Sequence, residues 1–273
     1  MYLRKVQLNP VNGAPGRFEF AAEGIGVRSR RRTPIGVLLC ALAFVTLSAC
    51  FSGNRRAAAD AVLVSERPDL AEFTPIKDDA LAARYAPVLV PSPDYGDPVA
   101  LYYRASKDTK GNTHLTYHFL WEFERNDTGG CLPFLSRNIY TGGLGLQRTM
   151  FGPGDIELVS LQIDPAGRVF ALFYETAENY DPSSFGVKHK RVSRLVTSGE
   201  IKGPYLFEVI SWNHLFEARE MESLSDAERA NLVQLTPEYF SEKLWRQYEM
   251  YKAEESFFSR SRAHEPFERE AFE

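Results

Sequence analysis

The sequence predicts a mainly β protein: an antiparallel β-sandwich with a short N-terminal helix and C-terminal helices packed on it. Three observations carry that expectation. Between residues 114 and 123 the odd positions Leu115, Tyr117, Phe119, Trp121 and Phe123 are apolar or aromatic, while His114, Thr116, His118 and Glu122 are polar. Alternation with period two is the signature of a strand with one buried face. Residues 155–164 and 168–176 flank Pro165-Ala166-Gly167, a turn sequence between two strand-like runs, which reads as a β-hairpin. Beyond Glu217 the pattern turns helical: Ser225-Asp226-Ala227-Glu228 is a capping box, and Thr236-Pro237-Glu238 offers an N-cap followed by proline at the first helical position.

Taken in order, the chain begins with residues 1–26, which have no periodicity. Two readings stay open for them: initiation at the codon read as Val27, or an unusually long leader. Arg28, Arg30, Arg31 and Arg32 then precede an apolar run from Ile35 to Leu47 that ends in Ser48-Ala49-Cys50. A basic region, a short apolar region and small residues form an export signal, and the run falls short of the ~20 residues a membrane span needs. Leu47-Ser48-Ala49-Cys50 resembles the lipobox of bacterial lipoproteins. That resemblance implies a signal peptide over residues 1–49, cleavage before Cys50, a lipid on its thiol and attachment to a membrane through that lipid. Phe51 stands where an inner-membrane retention aspartate would be, which favours the outer membrane, facing the periplasm or the cell surface.

Residues 1–49 hold seven of the 32 basic and two of the 36 acidic side chains, leaving 25 and 34 beyond them, a net of −9. Such a balance is no footprint for nucleic acid, which calls for a basic patch. Of the three cysteines, Cys40 lies in the signal, Cys50 takes the lipid and Cys131 is left alone, so no disulfide framework is expected.

Residues 50–77 read as a lipidated tether, 78–217 as the β-sandwich domain and 218–273 as a helical C-terminal extension. Asp78 and Asp79 before Leu81 and Tyr85 mark a short helix that Pro87 stops. Residues 86–90 and 99–104 read as strands, the second pairing with 114–123. Residues 127–154, with Cys131 and Gly142-Gly143-Leu144-Gly145, form a long connection without a dinucleotide-loop or P-loop pattern. On residues 155–163 the odd positions are Asp155, Glu157, Val159, Leu161 and Ile163, so two carboxylates continue the line of an apolar face. A cation, a basic partner, a retained proton or emergence into solvent would each account for them. Lys188 to Val196 is basic and alternating, as on an edge strand. Residues 205–212 read as the final strand, ending at Asn213-His214. Phe240, Leu244, Tyr248 and Tyr251 fall on one face of a helix of about twenty residues that covers the β-domain. His114 and His118, opposite the aromatic face of their strand, read as facing solvent.

Four stretches in order, Leu81 to Leu89 with Asp94-Tyr95 and Pro98, Tyr117 to Phe123, Gly154-Asp155-Ile156-Glu157-Leu158-Val159, and Pro204 to Val209 leading to Asn213-His214, together resemble the vacuolar protein sorting-associated protein 62 family. More distantly they resemble the necrosis-inducing Nep-like proteins. The Nep-like resemblance implies a divalent cation, Ca²⁺ or Mg²⁺, held at a sandwich rim by Asp155, Glu157 and His214, beside a glycan or lipid head-group ligand. Ile156 replaces the family tryptophan, and Gly152-Pro153-Gly154 replaces the histidine before the motif. Four functional readings follow: a lipid-anchored ligand-binding domain, a hydrolase using Asp155 and Glu157 with His214, a structural or partner-binding envelope lipoprotein, and a cysteine nucleophile at Cys131 with His118 or His214. No Gly-x-Ser-x-Gly or His-Glu-x-x-His motif supports catalysis.

Overall fold

The computed structural model describes residues 72–124, 152–182, 187–250 and 264–268. The signal region, Cys50, the tether to residue 71 and the glycine-rich connection with Cys131 lie outside the described residues, as does Tyr251 with the rest of its anticipated helix.

The chain is mainly β. Strand β1 (Thr74–Ile76) precedes helix α1 (Asp79–Tyr85), where the Asp78 carboxylate caps the Leu81 N–H at 2.9 Å. Then come β2 (Val88–Val90), β3 (Ala100–Lys107), β4 (Thr113–Trp121), β5 (Asp155–Ile163), β6 (Val169–Ala177), β7 (His189–Leu195), β8 (Leu206–Val209) and β9 (Phe216–Arg219). The capping box is present at α2 (Asp226–Ala230), followed by β10 (Glu238–Tyr239) and α3 (Glu242–Gln247).

One sheet runs β1-β3-β4-β5-β6-β7, with β10 beside β3; the other is β2-β8-β9. Successive strands from β3 to β7 pair antiparallel with one another, whereas β2 with β8 and β10 with β3 are parallel. Basic β7 lies at the end of its sheet, as its composition predicts. In the β5–β6 hairpin Asp164 Oδ1 accepts from the N–H groups of Ala166 and Arg168, both at 2.9 Å, and Gly167 takes φ +81°.

The aromatic face of β4 lies in the core between the two sheets. Leu115, Tyr117, Phe119 and Trp121 pack with Leu101, Tyr103, Val159 and Leu161 of their own sheet and with Leu89, Phe207, Val209 and Phe216 of the other. Burying each of the larger side chains contributes about 1.5–3 kcal/mol. Two hydrogen bonds fasten α1 to this body: Tyr117 Oη donates to Ala82 O at 2.6 Å, and Tyr85 Oη to Gly167 O at 2.7 Å.

The other face of the large sheet departs from expectation. Every residue of β4 is buried, including His114 and His118, because residues 240–250 and 264–268 lie over that face. Phe240, Trp245 and Met250 form a second apolar layer with Tyr102, Leu120 and Ile156. An alternating pattern locates the more apolar face, but a cover built from distant residues is invisible to it.

The C-terminal reading is corrected in two further ways. Thr236-Pro237 leads into β10 rather than a helix, and within the described residues the helix is the six-residue α3, capped by Ser241. A boundary after residue 217 falls inside β9. Residues 205–212 are not the last strand, and β1 and β10 both pair with β3, so the sheet draws on residues outside 78–217.

Candidate functional site

Asp155 opens β5 directly opposite Trp121, the last residue of β4. The chain reaches it through Gly154, whose φ is +70° and whose Cα faces the strand closely: a Cβ there would lie 2.7 Å from both Leu120 Cδ1 and Trp121 O. Glycine is the residue that tolerates both the angle and the approach.

His214 arrives from the other sheet. The connection from β8 to β9 is a tight turn in which the His214 N–H bonds Ser211 O at 2.9 Å and the Leu215 N–H bonds Ser211 Oγ at 3.1 Å. It leaves His214 at φ +59°, a left-handed conformation uncommon outside glycine and tolerated by histidine more than by most residues. The imidazole is fully buried and stacks on Trp121, with ring centroids 4.3 Å apart and planes 8° from parallel.

Two of the three residues singled out by sequence therefore meet. His214 Nδ1 lies 2.6 Å from Asp155 Oδ2, and Nε2 lies 3.1 Å from the backbone oxygen of Tyr95. A carbonyl only accepts, so Nε2 carries a hydrogen, and one further hydrogen lies between Nδ1 and Oδ2. The Asp155 carboxylate is thus answered by a basic partner and a shared proton rather than by solvent, and its residue is 7 % exposed. Glu157 is equally buried, facing the inter-sheet core two residues further along β5.

Further hydrogen bonds surround this arrangement. Trp121 Nε1 donates to Gly96 O at 3.2 Å, which ties the loop carrying Tyr95 to the end of β4. The hydroxyls of Tyr95 and Tyr180 are 3.2 Å apart, and burial followed by that contact pushes the Tyr95 phenol well above its ordinary range. Beside His214, the Asn213 amide sits 2.9 Å from His189 Nε2, and His189 Nδ1 sits 2.6 Å from Glu175 Oε2.

A metal ligand or a general base needs a free nitrogen lone pair. Both ring nitrogens of His214 already face protein atoms within hydrogen-bond distance, so the residue does not fit the cation-ligand role or the acid–base role. Among the described residues no group of three or more His, Cys, Asp or Glu side chains is arranged to hold a metal ion. The clefts lie elsewhere. One of about 450 Å³ is lined by Arg84, Tyr85, Glu200, Lys202 and Tyr205, and one of about 480 Å³ by Lys77, Asp78, Lys107 and Pro165. Both include Gly167 of the β5–β6 turn, at the opposite end of β5 from Asp155.

Several participants were not singled out from the sequence. Tyr95 contributes a backbone oxygen, which no side-chain pattern announces. Trp121 is visible as a strand aromatic but not as the platform for His214. A polar cluster on the covered outer face joins Arg104, Ser160, Glu265 and Glu268 to Arg191 of the basic strand and to His118, whose strand pattern reads as facing solvent. Compared with protein families, curated proteins and solved structures, the chain matches none.

Proposed function

We propose that this protein is an exported lipoprotein, acylated at Cys50, whose β-sandwich serves as a ligand-binding module at the cell envelope rather than as a hydrolase. The anchoring half of the reading is supported by Arg28 to Arg32, the apolar run and Leu47-Ser48-Ala49-Cys50. Two acyl chains suffice for stable attachment where one is marginal. The 24 peptide steps from Cys50 to Thr74 span at most about 80 Å, room enough for the domain to stand clear of a bilayer.

The observation that favours binding over catalysis is the engagement of both His214 nitrogens, which occupies one of the three groups of the acid–base reading. For a ligand, the polar clefts beside Tyr85 offer Arg84 and Lys202 in one and Lys77 and Lys107 in the other, with tyrosine rings at hand. With Glu200 in the first and Asp78 and Asp164 in the second, that mixed chemistry suits a glycan or a lipid head group. Palmitate labelling of cells expressing wild type and Cys50→Ser tests the anchor. Label in wild type and its loss in the variant are expected; an unlabelled wild type sinks the lipoprotein reading. A head-group and glycan binding screen with Lys202→Ala alongside tests the module, and turnover of any hydrolase substrate by wild type would overturn it.

A further inference from the structure

The outer face of the large sheet carries charged groups that the reading above does not use. From β3 come Arg104 and Ser106, from β4 Thr116 and His118, from β5 Ser160 and from β7 Arg191; across the described strands these share one side of the sheet. Arg104 is almost wholly buried. Its guanidinium lies 3.6 Å from the centre of the Trp245 ring, Nε donates to Phe240 O at 2.9 Å, Nη1 donates to Glu268 O, and Nη2 lies 3.4 Å from Glu242. Burying a guanidinium is tolerated when its donors are met, and every one of these acceptors belongs to residues 240–268.

Residues 264–268 fill the rest of the face. Arg191 Nη2 donates to Glu265 Oε1 at 2.6 Å, Ser160 Oγ to the same oxygen at 3.4 Å, and Ser106 Oγ to Phe267 O at 3.1 Å. The Phe267 ring sits 5.3 Å from that of His114 and 5.8 Å from that of Phe73. Two carboxylates three residues apart thus lie among two arginines, a histidine and three hydroxyls.

The fit is incomplete at one place. Glu268 Oε1 is 3.1 Å from His118 Nε2, close enough for an ion pair, yet the direction is wrong for a hydrogen bond. Both side chains are completely buried, and neither ring nitrogen of His118 nor Glu268 Oε1 has a hydrogen-bond partner among the described residues. A carboxylate seated in line with Nε2 would gain the bond that Glu268 misses. The chain's own segment is therefore an imperfect occupant of a site that takes the carboxyl groups of acidic side chains.

We propose that this face is a binding site for acidic peptides of the pattern Glu-x-x-Glu, occupied in cis by Glu265 and Glu268, and open to a related segment in trans when the cis segment leaves. The proposal is independent of the lipid anchor and of the clefts beside Tyr85. Competition with the cis segment lowers the apparent affinity by the fraction of molecules in which the site is vacated.

The test uses a fluorescein-labelled peptide His-Glu-Pro-Phe-Glu, capped at both ends, and fluorescence anisotropy with the full chain. Phe267→Ala loosens the cis segment without touching a charged group of the site, and Glu265→Ala/Glu268→Ala loosens it by removing both carboxyl groups. Expected is at least about tenfold tighter peptide binding to either variant than to wild type. Adding Arg191→Gln should abolish the gain, and a peptide with both glutamates replaced by alanine should not bind. Near-ultraviolet circular dichroism identifies any variant that has not folded, and the other folded variant then decides. Equal affinity for wild type and a folded variant, or equal binding of the alanine peptide, overturns the proposal.

Discussion

Replacing Asp155 tests the hydrogen-bond account of its pairing with His214. In Asp155→Ala the imidazole keeps Nε2–H on Tyr95 O, 3.1 Å away, and Nδ1 is left as a buried neutral lone pair. No charge is stranded. The cost is then that of a lost charge-assisted hydrogen bond, about 1.5–3 kcal/mol, and stays below the about 3–5 kcal/mol of an uncompensated buried ion. Asp155→Asn retains an N–H able to donate to Nδ1, so its cost is about 0.5–1 kcal/mol. His214→Ala exceeds both, since it also removes the stack on Trp121, worth about 0.5–1.5 kcal/mol. Urea unfolding followed by tryptophan fluorescence measures the three differences. At about 2–4 °C per kcal/mol for a domain of this size, Asp155→Ala lowers Tm by roughly 3–12 °C. If Asp155→Ala costs under about 0.5 kcal/mol, or Asp155→Asn costs as much as Asp155→Ala, the pairing described here is wrong.

Gly154→Ala meets backbone and side chain at 2.7 Å and a φ of +70°, so a loss of about 2 kcal/mol or more is expected in the same unfolding assay. For Glu265, burial raises the carboxyl above its ordinary 4.5, with Glu268 adding to the rise and Arg191 opposing it. Its protonated form is thus favoured when residues 264–268 are docked; that contribution is complete below the ordinary value and lost as pH rises through the docked one. Amide hydrogen exchange of residues 264–268, corrected for intrinsic rates, should therefore show weaker protection as pH rises above about 4.5, and Glu265→Gln should flatten the trend; protection that instead grows with pH contradicts it. Thermal-shift titration with Ca²⁺, Mg²⁺ or Zn²⁺ should move Tm by less than about 1 °C, because binding to the folded state would raise it by mass action. A larger shift that vanishes in Asp155→Asn/Glu157→Gln would restore the cation reading. Asp155→Ala and Glu265→Gln share no partner and lie on opposite faces of one sheet, so their stability effects should add within about 0.3–0.5 kcal/mol; a larger coupling would show that the two clusters act as one.

The sandwich was legible because its strongest signals are local. Residues 113–121 alternate by themselves, Asp164 to Gly167 make their own turn, and Ser225 to Glu228 cap their own helix. Asp155 and His214 were legible as a pair of anomalies: a carboxylate on an apolar face, and a histidine at the end of a strand. The outer cover was not. Phe240 follows a strand of two residues, β10, and Trp245 lies on a helix of six, so neither belongs to an element long enough to show a period. What made the twenty-residue helix seem plausible was the spacing of Phe240, Leu244 and Tyr248. Those side chains do share one apolar cluster, but Phe240 reaches Tyr102 from extended chain, stacked at 4.7 Å.

Strands β4 and β5 thereby carry two polar assemblies on one backbone, separated only by side-chain alternation. Odd positions lead through Trp121 and Asp155 to His214; even positions lead through Thr116, His118 and Ser160 to Glu265 and Glu268. A slip of one residue between the strands would point Asp155 at the outer cover and turn Ser160 into the apolar core. The pairing Trp121↔Asp155 must therefore be held at its end. Gly154 allows the close approach to Leu120 and Trp121 there, and the His214 imidazole ties Asp155 to the second sheet. In this reading the buried aspartate–histidine pair acts as a register pin for the sheet, a use of buried polar groups in which specificity rather than stability is gained. The same pin keeps Ser160 on the face where the acidic segment docks.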